Sequence, residues 1–200
     1  MKPQCVIFDF GGVISHPQRP SFFDELGRML GAAPDKLRGA YRRPRNDYDR
    51  GTLDGRRYWA GVLTEAGVVD GMSRVDELIA IDTASWTSIN EETLEAVGHL
   101  RARGFRTAVL SNMPWEIGLD IRRRCAWLGE LFETVTFSCE IGIIKPEPAI
   151  YRHTLERLGL DAGQCLFVDD TESNAAAARA VGMGAVLFRR VEDLHRALAG

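Results

Sequence analysis

Residues 5–10 read "CVIFDF", and residues 8–13, overlapping them, read "FDFGGV". So short an apolar run, without polar alternation, is what a strand buried on both faces requires. It ends on a carboxylate, Asp9, followed by Gly11 and Gly12, a pair suited to a tight turn. Four further runs have the same character: "TAVLSN" (107–112), "TVTFS" (134–138), "CLFVDD" (165–170) and "AVLF" (185–188). Helical patterns occupy 91–103, 115–127, 147–158 and 173–181 between them. Asn90 ahead of "EET" reads as an N-cap, Pro146 as a first helical residue, and Gly104 and Gly159 as helix stops. Strand alternating with helix predicts an α/β fold, a Rossmann-like three-layer core whose parallel sheet is joined by right-handed crossovers.

The first strand breaks this rhythm. About 95 residues separate it from the next, whereas later spacings are near those of a single crossover unit. Phe22, Phe23, Leu26, Met29 and Leu30 make one helical apolar stripe, Tyr58, Trp59, Val62, Leu63 and Ala66 a second, and Val75, Leu78 and Ile79 a third. Residues 1–15 and 87–200 are therefore expected to form the α/β core, and 16–86 an inserted all-helical cap. Tyr58 and Trp59 are expected to pack inside that insert. "AAAA" (175–178) suits a helix, and no internal repeat appears.

With 45% hydrophobic and 26% charged residues, the composition is that of an ordinary globular domain. A net charge of -3 argues against a nucleic-acid partner. No stretch is long and apolar enough to span a bilayer, and "MKPQCVIFDF" lacks the apolar core of a secretory signal. Cys5, Cys125, Cys139 and Cys165 show no metal-ligand spacing and read as free thiols. A cytoplasmic protein, monomer or homodimer, is the expectation.

Asp9, Ser111, Asp169 and Asp170 all fall at carboxyl ends of the expected strands. In a parallel sheet those ends share one edge, where open α/β folds bind their ligands. Two carboxylate stations and a hydroxyl on one rim suit phosphoryl transfer. A carboxylate can attack phosphorus to form an acyl phosphate, and Mg²⁺ held by oxygen ligands can offset the meeting of two anions. Lys145 in "KPEP" would carry further positive charge. Ser111 and the amides of the Gly11–Gly12 turn are candidate donors to phosphate oxygens.

The stretches "FDFGGV", "LSN", "KPEPAIY" and "VDDTESN", in that order, resemble the four motifs of the haloacid dehalogenase-like (HAD) hydrolases. The resemblance covers residues 4–16 and 87–188, and the helical insert resembles that family's small helical cap. It implies a Mg²⁺-dependent phosphatase of a small phosphorylated molecule, with Asp9 as nucleophile. Ser111 would bind phosphate, with Asn112 and Gly12 contributing, and Lys145 would steady nucleophile and phosphate. Asp9, Asp170 and the Gly11 backbone carbonyl would hold the metal, Asp169 acting beside them through water, with Asn174 in the surroundings.

One position departs from the pattern. Most phosphatases of the family carry a second aspartate, the general acid and base, where this chain has Gly11. His16 is a candidate substitute proton donor. The departure keeps open a phospho-ligand-binding module with weakened chemistry. A hydrolytic 2-haloacid dehalogenase is also open, although the paired acids Asp169 and Asp170 speak against it. Arg42, Arg43, Arg45 and Arg50 could meet an anionic leaving group, but alternate with Asp47 and Asp49 as a solvated face would. Arg122, Arg123 and Arg124 read as solvated helix surface.

Overall fold

The structure, a computed structural model, describes residues 2–199. After β1 (Cys5–Phe8) come five helices, α1 (Phe22–Leu30), α2 (Pro34–Arg42), α3 (Arg45–Asp49), α4 (Gly55–Ala66) and α5 (Val75–Ser85). The chain continues through α6 (Glu91–Ala102), β2 (Arg106–Ser111), α7 (Trp115–Arg124), α8 (Trp127–Leu131), β3 (Thr134–Phe137) and α9 (Ser138–Ile141). It closes with α10 (Pro148–Leu158), β4 (Cys165–Asp169), α11 (Glu172–Ala180), β5 (Gly184–Leu187) and α12 (Val191–Ala199).

All pairings are parallel and the strand order is β3-β2-β1-β4-β5. Alternate residues of each strand serve opposite faces. Val6, Phe8, Val109, Leu166 and Val168 share a core with Val97, Ile117 and Leu194 of α6, α7 and α12. Cys5, Ile7, Ala108, Leu110 and Phe167 share the other with α10 and α11. Both faces are covered, which is why the strands read as unbroken apolar runs. Cys5 and Cys165 lie in register on neighbouring strands, and all four cysteines are buried and free. The chain leaves β1 to one side through β2 and β3, then returns to its other side with β4. That reversal opens a crevice at the carboxyl ends of β1 and β4.

Helices α1 to α5 build a hydrophobic cluster of their own, with Phe22, Leu26, Tyr48, Tyr58, Trp59 and Leu63 inside it. Tyr48 stacks on Tyr58 at 4.1 Å. Among the described residues, no helix is long and apolar enough to cross a membrane.

Several expectations need correction. The helix expected over 115–127 breaks at Cys125 into α7 and α8. Helix α10 begins at Pro148 rather than Pro146, with Glu147 extended at φ -62, ψ 128. A residue preceding proline is pushed out of the helical region, so the second proline delays the start. Helices α2, α3, α9 and α12 were not anticipated. Only Leu37, Ala40 and Tyr41 are buried along α2, too thin a stripe to stand out.

Candidate active site

Asp9 is the first residue beyond β1, and its N–H donates to the Val168 carbonyl at 2.8 Å, tying it to β4. The chain then curls back, with the N–H groups of Val13 and Ser15 both donating to the Phe10 carbonyl, and Gly12 takes φ 78. One carboxylate oxygen of Asp9 is heavily used: Oδ1 accepts from Phe10 N (2.7 Å), Ser111 Oγ (2.7 Å) and Lys145 Nζ (2.9 Å). No hydrogen bond to Oδ2 is made among the described residues. The nucleophile candidate is thus held by one oxygen and free at the other.

Lys145 reaches this point because Asn112 grips its backbone. The Lys145 N–H donates to Asn112 Oδ1 (2.7 Å), and Asn112 Nδ2 donates to the Lys145 carbonyl (3.0 Å). Asn112, expected as a phosphate contact, spends both ends of its side chain on this grip. The buried ammonium bridges Asp9 and Asp169, at 2.7 Å from Asp169 Oδ2. Asp169 is saturated: it also accepts from the Thr171 N–H (2.8 Å), and from Asn174 Nδ2 at 3.1 Å on each oxygen. Asn174 therefore orients Asp169. Asp170, half-buried, receives one 3.2 Å hydrogen bond from Thr171 Oγ1. Carboxylate oxygens of Asp9, Asp169 and Asp170 lie within 4.8 Å of one another.

Burial pushes the Asp9 carboxyl up, Lys145 opposes it and Asp169 reinforces it, leaving Asp9 at about 7. Burial alone would lower Lys145, but Asp9 and Asp169 outweigh it and raise it. Burial, with Asp169 adding to it, also raises Asp170. The cluster holds more negative charge than one ammonium balances, an arrangement that attracts a cation.

A family model described as haloacid dehalogenase-like hydrolase matches residues 3–182. The chain belongs to the haloacid dehalogenase-like hydrolases. It is 28% identical over 217 residues to bifunctional epoxide hydrolase 2 of Rattus norvegicus, covering 99% of this chain but 38% of that protein. It is 29% identical over 196 residues to a phosphoglycolate phosphatase of Rhodospirillum rubrum, covering 93% of this chain and 79% of that one. The fold is also that of a HAD family enzyme of Bacteroides thetaiotaomicron, solved in complex with magnesium and inorganic phosphate. That likeness has a TM-score of 0.77 at 18% identity, over 94% of each chain.

Above the HAD-like rim lies a cavity of about 360 Å³. Its floor is Asp9, Gly12, Ser111, Lys145 and Asp170; its roof, from the helical insert, includes Gln18, Tyr41, Arg45, Asp49 and Trp86. Arg45 corrects the solvated-face reading. Its Nε donates to Asp49 Oδ1 (2.8 Å) and its Nη1 to the Tyr41 hydroxyl (2.5 Å), which donates to Asp82 Oδ1 (2.8 Å). Arg42 also lines the cavity, whereas Arg43 pairs outside with Glu65 and Arg50 with Glu147. Arg122, Arg123 and Arg124 are exposed, as expected.

His16 is exposed and lines a different groove, with Arg19, Phe22 and Glu25. Its backbone N–H donates to the Ser88 carbonyl (2.7 Å), and the side chain has no place in the cavity wall over Asp9. Tyr41, Arg45 and Asp49 were missed as a group. In the sequence each stands four residues from the last, the spacing of one helical face, although Tyr41 belongs to α2 and Arg45 and Asp49 to α3. Such an aromatic, cationic and acidic series is the signal that would have found them.

Proposed function

We propose that this chain is a Mg²⁺-dependent phosphatase of a small phosphorylated metabolite, acting through an aspartyl-phosphate on Asp9. The observation that carries the reading is the state of Asp9, pinned by three donors at one oxygen and open to the cavity side at the other. Attack by Oδ2 on phosphorus then needs no reorientation of the carboxylate. In this reading Ser111 and the turn amides at Gly11 and Gly12 would meet the phosphate oxygens. Lys145 counters the effect of burial on the Asp9 carboxyl and adds positive charge at the developing anion. The roof of the cavity limits water and selects the leaving group.

The donor set suits Mg²⁺, being three convergent carboxylates and no nitrogen or sulfur ligand. Asp170 lies where a side chain on Gly12 would be, for a Cβ there would stand 2.3 Å from its Oδ2. Asp9, Asp170 and the Gly11 carbonyl would hold the ion; Asp169, expected to act through water, has its acceptor sites taken by Lys145, Thr171 and Asn174 and would add negative charge beside them. When bound, it would neutralise charge on the transferring phosphoryl group. The phosphoglycolate phosphatase relative and the magnesium–phosphate complex of the structural neighbour support the reading. The paired acids weigh against a dehalogenase, whose attack on carbon needs no metal.

The test is a screen of phosphate esters and 2-haloacids with and without Mg²⁺, using Asp9→Asn as control. Mg²⁺-dependent phosphate release that disappears in Asp9→Asn is expected. Metal-independent halide release would replace the reading with the dehalogenase, and binding without turnover would replace it with a phospho-ligand module.

A further inference from the structure

We propose that Asp49, entering the cavity from the end of α3, is the general acid and base of the phosphatase reaction, in place of the carboxylate that Gly11 lacks. The inference rests on the phosphatase reading above. A metabolite ester leaves as a poorly stabilised alkoxide, so some group in the cavity must give it a proton and later take one from water.

The titratable side chains lining the cavity are few: Asp9, Tyr41, Arg42, Arg45, Asp49, Lys145 and Asp170. Asp9 is the nucleophile and Asp170 belongs to its carboxylate cluster. Arginine does not give up its proton in this range. Lys145 is held between two carboxylates, which raise it. Tyr41 is raised well above its usual value by burial. Asp49 is what remains.

Its placement is firm. The Ser138 hydroxyl accepts from the Met113 N–H (2.8 Å) and donates to the Asp49 carbonyl, joining the insert to the segment just beyond Ser111. The next residue, Arg50, donates to the Gly142 carbonyl (3.1 Å) and to Glu147 (2.6 Å). Asp49 is thus anchored to the core rim at its own carbonyl and at the next residue. Its Oδ1 takes the Arg45 Nε, and no hydrogen bond to Oδ2 is made among the described residues. Arg45, Lys145, Asp82, Tyr58 and Cys139 are the ionisable groups whose charges it feels or perturbs. Burial raises Asp49 and Arg45 lowers it, with burial prevailing, so the group is closer to carrying a proton than an exposed aspartate.

The two steps balance. As Asp9 bonds to phosphorus and the ester P–O bond breaks, the Asp49 carboxyl gives its proton to the departing oxygen and becomes a carboxylate. Water then attacks the aspartyl-phosphate, Asp49 takes its proton, and the Asp9–phosphorus bond breaks to release phosphate. Asp49 ends protonated as it began.

The test compares p-nitrophenyl phosphate, whose leaving group needs no proton, with phenethyl phosphate, whose leaving group does. Asp49→Asn should lower kcat/KM for the phenethyl ester about 10²–10⁴-fold. With the nitrophenyl ester it should still give a burst of about one nitrophenolate per enzyme, followed by slow turnover as the aspartyl-phosphate waits for a base. Asp49→Glu, retaining the carboxyl, should restore part of the phenethyl rate. Equal losses on both esters without a burst would overturn the assignment and make Asp49 a structural or binding residue. Wild-type rates in Asp49→Asn would also overturn it while leaving the phosphatase reading intact. Silence of the wild-type protein on every ester would remove both.

Discussion

The indole of Trp86 lies against Gly11: a Cβ built on that glycine would stand 3.2 Å from Cζ3 of the ring. Gly11 is not among the glycines with positive φ, so its backbone would accept a side chain. The excluding feature is the ring, delivered by the residue that follows α5. Gly11→Asp by itself should therefore overpack the contact and cost about 1–3 kcal/mol, read as a lower urea midpoint. Combined with Trp86→Ala, the new carboxylate has room. The double variant should hydrolyse poor-leaving-group esters faster than Trp86→Ala alone.

Gly12 answers to a different constraint. Its φ of 78 already disfavours a side chain, and a Cβ would collide with the Asp170 carboxylate at 2.3 Å from Oδ2. Gly12→Ala should displace Asp170. The Mg²⁺ concentration giving half activity should rise at least tenfold, while the fold, checked by far-ultraviolet circular dichroism, persists.

Arg45 holds together the roof of the cavity. Its side chain pairs with Asp49 at 2.8 Å and lies 3.7 Å from Asp82, whose Oδ2 is buried with no hydrogen-bond partner. Removing the guanidinium leaves two buried carboxylates without their countercharge. Arg45→Ala should cost about 3–5 kcal/mol in urea denaturation. Arg43→Ala, which breaks an exposed pair with Glu65, should change stability by less than about 1 kcal/mol.

Asp9 makes metal-free stability depend on pH. Burial raises its carboxyl from 3.8 to about 7, so between these values the folded protein binds the proton more tightly than the unfolded chain. The associated stability is fully present below pH 3.8 and is lost as pH rises to about 7. With EDTA present, the urea midpoint of Asp9→Asn should fall less over that window than that of the wild-type protein. On the phosphatase reading, added Mg²⁺ should raise the wild-type melting temperature more at pH 8 than at pH 5, because it would bind the ionised cluster.

How far the sequence could be read depended on how local each feature is. All five strands were legible in their unbroken apolar runs, since burial on both faces acts residue by residue. Asp9, Ser111, Asp169 and Asp170 followed from them, because a parallel sheet brings its carboxyl ends to one rim. Lys145 was visible in its motif and expected beside Asp9, but its second carboxylate partner, Asp169, was not, and neither was the Asn112 grip that delivers it. Arg45 read as solvated because charges alternating with acids look the same on an exposed helix and on one facing a cavity. His16 looked close to Asp9 along the chain, yet it lines another groove.

By itself, the sequence determined the α/β order of elements, the rim on which the chemistry sits and the absence of a carboxylate at residue 11. These are consequences of periodicity, parallel topology and residue identity, all present in short windows. Only the tertiary structure decided what fills the space beside Gly11 and which side chains roof the cavity. The ring of Trp86 and the carboxylate of Asp49 arrive through packing of the insert on the core. The tie from Ser138 to Asp49, for example, spans 89 residues. No local pattern encodes such a meeting, because its geometry depends on how two separately formed hydrophobic clusters settle against each other.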